Sequence, residues 1–153
     1  MRSPHRLPVL GWPWVLLSLA TSAWAQKLDV KPGLWEITMA EPRSVMQACY
    51  TKEVLDSGFS KVPAPPGMAC SNEVRQATSR LLVTHTACTG SMAIEGETRV
   101  EVSSPEAMSM QSTSVMDLGG RRQTVKAAAT YRWLRADCGT VEPFDPAKAL
   151  QAR

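Results

Sequence analysis

From Cys70 to Leu134 the chain is cut at near-regular intervals by turn-forming clusters, Ser79-Arg80, Gly90, Ser103-Ser104-Pro105-Glu106 and Gly119-Gly120. The five stretches between them, 70–78, 81–89, 93–102, 107–116 and 122–134, show recurrent two-residue alternation, clearest in 93–102, and little helical periodicity. That period puts one set of side chains on each face of a half-buried strand and leaves no room for an amphipathic helix. A parallel neighbour would need a crossover of about a dozen residues or more, so the short connections make these strands antiparallel. Gly119-Gly120 supplies the positive φ that a tight hairpin wants.

The preceding part of the chain adds two strands and one short helix. Lys31-Pro32-Gly33 is a turn, and residues 34–40 set Trp35, Ile37 and Met39 on one face with Glu36 and Thr38 on the other. Glu41-Pro42-Arg43 breaks that strand, and residues 44–50 return as its hairpin partner. Thr51 then caps a short helix that ends at Gly58, since its hydroxyl accepts a first-turn amide that the helix leaves orphaned. Residues 61–67 (KVPAPPG) hold three prolines, which no strand or helix interior accepts, so they form a surface loop. The fold class is therefore all-β. Seven strands form a single antiparallel meander, strongly curved or partly closed in a barrel-like way, with one short helix. The expected domain covers 26–139, followed by an irregular tail at 140–153.

The first residues do not belong to that domain. Arg2 and Arg6 precede an apolar run at 7–20, and Ala23-Trp24-Ala25 closes it. A basic start, an apolar run of about 7–15 residues and small residues at the last and third-last positions make a secretory signal peptide, 1–25, cleaved after Ala25. The run is too short, and too rich in proline with Pro8 and Pro13, for a transmembrane anchor of roughly 20 residues. Cleavage leaves 128 of the 153 residues and removes two of the 17 cationic side chains against 14 acidic ones, so the mature chain carries only +1. A chain so near neutrality has no electrostatic footprint for nucleic acid, which requires clustered Lys and Arg to displace phosphate counterions.

Export sends Cys49, Cys70, Cys88 and Cys138 into an oxidising compartment, the periplasm or the exterior, where they form two disulfides. Zinc ligands come in C-x2–4-C pairs, whereas the nearest two cysteines here, Cys70 and Cys88, stand far apart. Folding residues 70–78 back about Ser79 sets Cys70 across from Cys88. If the first strand closes against the last, Cys49 then reaches Cys138. The sequential arrangement, Cys49 with Cys70 and Cys88 with Cys138, remains the alternative.

No catalytic constellation stands out. His85 has no partner residue beside it to orient it as a general base, nor a set of donors for a metal. Glu95, Glu97 and Glu101 share a face with Arg99 in the manner of a solvated surface. No nucleophile elbow, phosphate loop, dinucleotide fingerprint or zinc-protease motif is present. Neither a cofactor nor a metal is expected. The seven methionines of the mature chain include Met108 and Met110 on one strand face. Thioethers suit Cu(I), but without further donors at ligand spacing they suit an apolar core or pocket better.

Five segments in order, Lys31-Pro32-Gly33-Leu34-Trp35-Glu36-Ile37-Thr38, Cys49-Tyr50-Thr51-Lys52-Glu53, Pro66-Gly67-Met68-Ala69-Cys70, Cys88-Thr89-Gly90 and Asp137-Cys138, resemble the secreted bacterial domain-of-unknown-function family 3617. The resemblance runs from Val30 to Cys138. Ala136 stands where the family has glycine, and the first hairpin lacks a Met/Pro-rich insertion. The resemblance implies an exported, four-cysteine, mostly β protein and carries no activity with it.

The functional expectation is a non-enzymatic binding module. One form holds an apolar small molecule or lipid in a pocket lined by Trp35, Ile37, Met39, Met108 and Met110, and requires an accessible apolar cavity. The other contacts an envelope protein through a sheet edge or the proline loop, and requires a filled core with an exposed edge. A hydrolase would have to use residues outside the familiar motifs.

Overall fold

The computed structural model describes residues 27–57, 64–145 and 148. The expected signal peptide, Gly58 and the first half of the proline loop lie outside the described residues, as does most of 146–153. The strands are β1 (Gly33–Met39), β2 (Ser44–Tyr50), β3 (Met68–Ala77), β4 (Leu81–Gly90), β5 (Ala93–Ser104), β6 (Ala107–Leu118) and β7 (Arg121–Arg135), with one helix, α1 (Lys52–Ser57), after β2. All pairings are antiparallel, in the order β2-β1-β7-β6-β5-β4-β3. Thr51 Oγ1 accepts the Val54 N–H at 3.3 Å, the expected cap of α1.

The first strand does meet the last, Leu34 standing opposite Arg135 and Met39 opposite Ala129. Closure into a barrel does not follow. β2 continues outward from β1 instead of returning to β3, so the N-terminal hairpin lengthens the sheet on one side and leaves β2 and β3 as its edges.

Register fixes which side chains share the core face. One cross-strand row runs Met46, Ile37, Tyr131, Met108, Val102, and the next runs Ser44, Met39, Ala129, Met110, Val100, Leu82. Trp35 and Trp133 face each other one row lower. Trp35, Ile37, Tyr50, Val100, Val102, Met108 and Ala129 are the buried centre of this cluster. Residues from outside the sheet cover it: Leu28 and Val30 of the N-terminal segment, Val54 and Leu55 of α1, and Phe144.

The N-terminal segment, 27–32, is a strap across the lower end of the sheet, where β1 begins. Asp29 N–H donates to the Ser79 carbonyl in the β3–β4 turn, and Lys31 N–H to the Pro105 carbonyl in the β5–β6 turn. Two indoles hold the strap from above, Trp35 Nε1 donating to the Lys31 carbonyl at 3.0 Å and Trp133 Nε1 to that of Pro32 at 3.1 Å. Lys27 Nζ ties it to α1 through Asp56 at 2.9 Å.

Disulfides pin both ends. Cys70 and Cys88 are direct cross-strand partners at the upper end of β3 and β4 and are bonded. Cys49, at the lower end of β2, is bonded to Cys138 after β7. The described start of the tail stays on the domain: Phe144 N–H donates to the Cys49 carbonyl at 2.7 Å, and the Phe144 ring packs edge-on against Tyr50 with centroids 5.5 Å apart.

Candidate functional site

The core face divides at the row of Met39 and Met110. Below it the cover of strap, helix and Phe144 leaves Trp35 fully buried, 0 % exposed, with Met108 at 4 % and Ile37 at 6 %. The five residues expected to line a pocket are thus in one cluster, but three are enclosed by packed neighbours. Met39 and Met110 are half-buried at its upper boundary. The Met110 thioether accepts the Tyr131 hydroxyl at 3.6 Å, so its sulfur already has a partner. Burial pushes the Tyr131 hydroxyl above its ordinary pKa. Burial, followed by the proximity of Tyr131, pushes Tyr50 far above its own.

Above that row the face continues on strands that outrun the N-terminal hairpin. The next rows read Ala127, Ser112, Thr98, Thr84 and then Val125, Ser114, Gly96, Thr86, Asn72, with Met116, Ile94, Cys88 and Cys70 at the upper end. Most of these side chains are half-buried and none belongs to the packed cluster. Small groups dominate the centre. Thr98 Oγ1 donates to Ser112 Oγ at 3.2 Å and Thr86 Oγ1 to Asn72 Oδ1 at 2.6 Å. A Cβ on Gly96 would stand 2.9 Å from the Thr113 carbonyl oxygen and 2.5 Å from Ser114 Oγ, so only glycine fits there. Alternation in β5 and β6 assigns these residues to the core face. Nothing in a period of two shows that the cover stops short of them.

The opposite face is mainly polar, with Leu34, Cys49 and Val83 as its buried apolar residues. Arg132 Nη2 pairs with Glu36 at 2.9 Å and Arg99 Nη2 with Glu101 at 2.6 Å. His85 stands in register between Glu73 and Glu97, with its Nε2 3.6 Å from Glu95 Oε1. Glu95 is 74 % exposed, and among the described residues no group of three His, Cys, Asp or Glu is placed to hold a metal ion. No described helix is long and apolar enough to cross a membrane.

A family model described as a protein of unknown function, DUF3617, matches residues 30–138. The chain belongs to that family. The matched span begins within the strap and ends at the second cysteine of the Cys49–Cys138 bridge, so the DUF3617 unit contains the whole sheet and both disulfides. No curated protein and no solved structure matches the chain. The opening Lys-Pro-Gly-Leu-Trp-Glu of this DUF3617 chain has a physical reading: Gly33, at φ 131°, lies against the Arg135–Ala136 backbone, and Trp35 reaches back to bond the Lys31 carbonyl.

Proposed function

We propose that this protein is an exported periplasmic binding module without catalytic chemistry, which takes an apolar small molecule or lipid on the upper half of its core face. The observation that carries the reading is the surface above Met39 and Met110, where half-buried Ile94 and Met116 and exposed Val125 flank a floor of Ser, Thr, Ala and Gly side chains. A floor of small residues between larger apolar ones admits a flat or extended apolar molecule, and curvature of the sheet would deepen it into a trough. Two disulfides suit an oxidising compartment, and removal of residues 1–25 is part of the same reading. Native mass spectrometry of the mature protein from the periplasm of its own host, before and after mild organic extraction, tests it. A reproducible bound mass that extraction removes is the expected result. A clean apo mass from freshly isolated protein overturns it.

A second reading, contact with an envelope protein through a sheet edge, is favoured by the full burial of Trp35 and by the exposure of Val45 (61 %) and Met46 (51 %) on the edge strand β2. A filled core with an uncovered edge suits a partner chain better than an enclosed ligand.

A further inference from the structure

The strands of the sheet differ in length, and the difference leaves a notch. β7 runs for 15 residues and β1 for 7. Their pairing ends at Met39 opposite Ala129, with a last bond from Ala40 N–H to the Ala128 carbonyl at 2.9 Å. Above this point, residues 121–127 of β7 pair with β6 on one side and with no described residue on the other. In an antiparallel ladder, backbone groups point to alternate sides. Because the Ala128 carbonyl faces β1, the N–H and C=O groups of Lys126, Thr124 and Arg122 face the side that β1 has left. They are all exposed.

The other two edges are less available. On β2 the Cys49 carbonyl is taken by Phe144, which leaves two residues, Val45 and Gln47, facing outward. β3 carries a register irregularity between Val74 and Gln76 and a Glu73–Arg75 ion pair, features that discourage strand addition. The notch instead presents three successive outward residues beside an open groove whose floor includes Ser112, Ala127 and Ala128. Small residues there let a second backbone approach.

Charge selects the occupant. Arg121, Arg122 and Lys126 line this half of β7, against Asp117 and Glu41 nearby. Asp117 offsets only Arg122, at 3.8 Å, and Lys126 has no ion-pair partner among the described residues. The same cations repel a second copy of β7. We propose that the notch binds an acidic, extended segment of another protein by strand addition, antiparallel to β7 and in line with β1. Carboxylates of that segment lie opposite Lys126 and Arg122, and an apolar side chain lies opposite Val125. This rests on the second reading above, contact with another chain.

The test uses the mature, disulfide-bonded protein and fluorescent eight-residue peptides, one alternating Glu with Val and one alternating Lys with Val, read by anisotropy. Thr124→Pro removes one outward N–H without touching a bond to β6, because proline is tolerated on an edge whose N–H faces solvent. Arg122→Glu with Lys126→Glu reverses the charge at exposed positions. Gln47→Pro is the matching change on the β2 edge. The acidic peptide should bind, weaken with salt, and lose about tenfold or more in affinity with Thr124→Pro and with the charge reversal, but not with Gln47→Pro. The basic peptide should not bind. Acidic-peptide binding that survives both β7 changes overturns the notch, and if it falls only with Gln47→Pro the contact reading stands at β2. No binding of either peptide overturns both.

Discussion

The two disulfides close loops of very different length, and their removal should therefore cost different amounts. Cys49 and Cys138 are separated by 89 residues and Cys70 and Cys88 by 18. In the chain-entropy model the longer loop contributes about 4.6 kcal/mol and the shorter about 3.2 kcal/mol at 25 °C. The packing lost with sulfur is nearly matched, because Cys49 and Cys88 are buried and their partners half-buried. The difference of about 1.4 kcal/mol then belongs to the unfolded chain. The perturbation is a pair of double variants, Cys49→Ala/Cys138→Ala and Cys70→Ala/Cys88→Ala, unfolded in urea and followed by tryptophan fluorescence. With a slope of about 1–3 kcal/mol/M for a domain of this size, the long-loop variant should have a midpoint about 0.5–1.5 M below the other. Its slope should also rise more, since its unfolded state expands further. A long-loop variant that is already unfolded in buffer while the other folds meets the same order. Equal midpoints, or a lower midpoint for the short-loop variant, would refute the reasoning.

Three further perturbations address the core and its upper extension. Trp35→Phe keeps most of the buried ring but removes the indole N–H that bonds the Lys31 carbonyl; it should cost about 1–2 kcal/mol and speed hydrogen exchange at the Asp29 and Lys31 amides, and unchanged exchange there would mean the strap does not depend on the indole. Gly96→Ala forces a methyl against the Thr113 carbonyl and Ser114 Oγ, so it should cost about 1–3 kcal/mol in urea unfolding, with only partial recovery on adding Ser114→Gly because the backbone oxygen remains; a neutral Gly96→Ala contradicts the close approach. Burial raises the folded-state pKa of Tyr50 and Tyr131, so their contribution is intact below the unfolded-state value of about 10 and is lost as pH rises above it; stability should fall through alkaline pH, less steeply in Tyr50→Phe, and a slope unaffected by that change would remove Tyr50 as the cause.

Two-residue alternation made the meander and the shared face of Trp35, Ile37, Met39, Met108 and Met110 readable, because on a strand parity alone decides the face. Symmetry about Ser79 likewise brought Cys70 opposite Cys88, since a tight hairpin turns sequence distance from its centre into register. Three features that decide how the core is covered left no such trace. The strap inserts Leu28 and Val30 from a stretch, Lys27 to Lys31, whose alternation holds only these two apolar residues before the Lys-Pro-Gly turn. Phe144 lies beyond Cys138, in a stretch rich in proline and polar residues, yet it packs on Tyr50 because the Cys49–Cys138 bridge delivers the following chain to that spot.

The remaining feature, where the cover ends, depends on a comparison that no single strand contains. Whether a face is core or open surface is set by what lies above it, and here the cover of strap, α1 and Phe144 packs on the lower half of the sheet, up to the row of Met39 and Met110. The apolar and polar alternation weakens above that row, with Ser112 and Ser114 in β6 and Gln123 and Arg121 in β7 at core-face positions, but it does not say what covers the face. Only the reach of that cover makes the lower half a sealed core and the upper half a shelf of Ser112, Ser114, Thr98 and Gly96. The seven residues of β1 against the 15 of β7 leave β7 without a described neighbour above Ala128, so the notch follows from the shortness of the first hairpin. By the same register, extending β1 by three residues beyond Met39, with its hairpin partner to match, would set a residue opposite Lys126 and fill the notch. A strand added in the notch would complete the sheet in its own plane where the first hairpin stops early, beside the shelf and not over it.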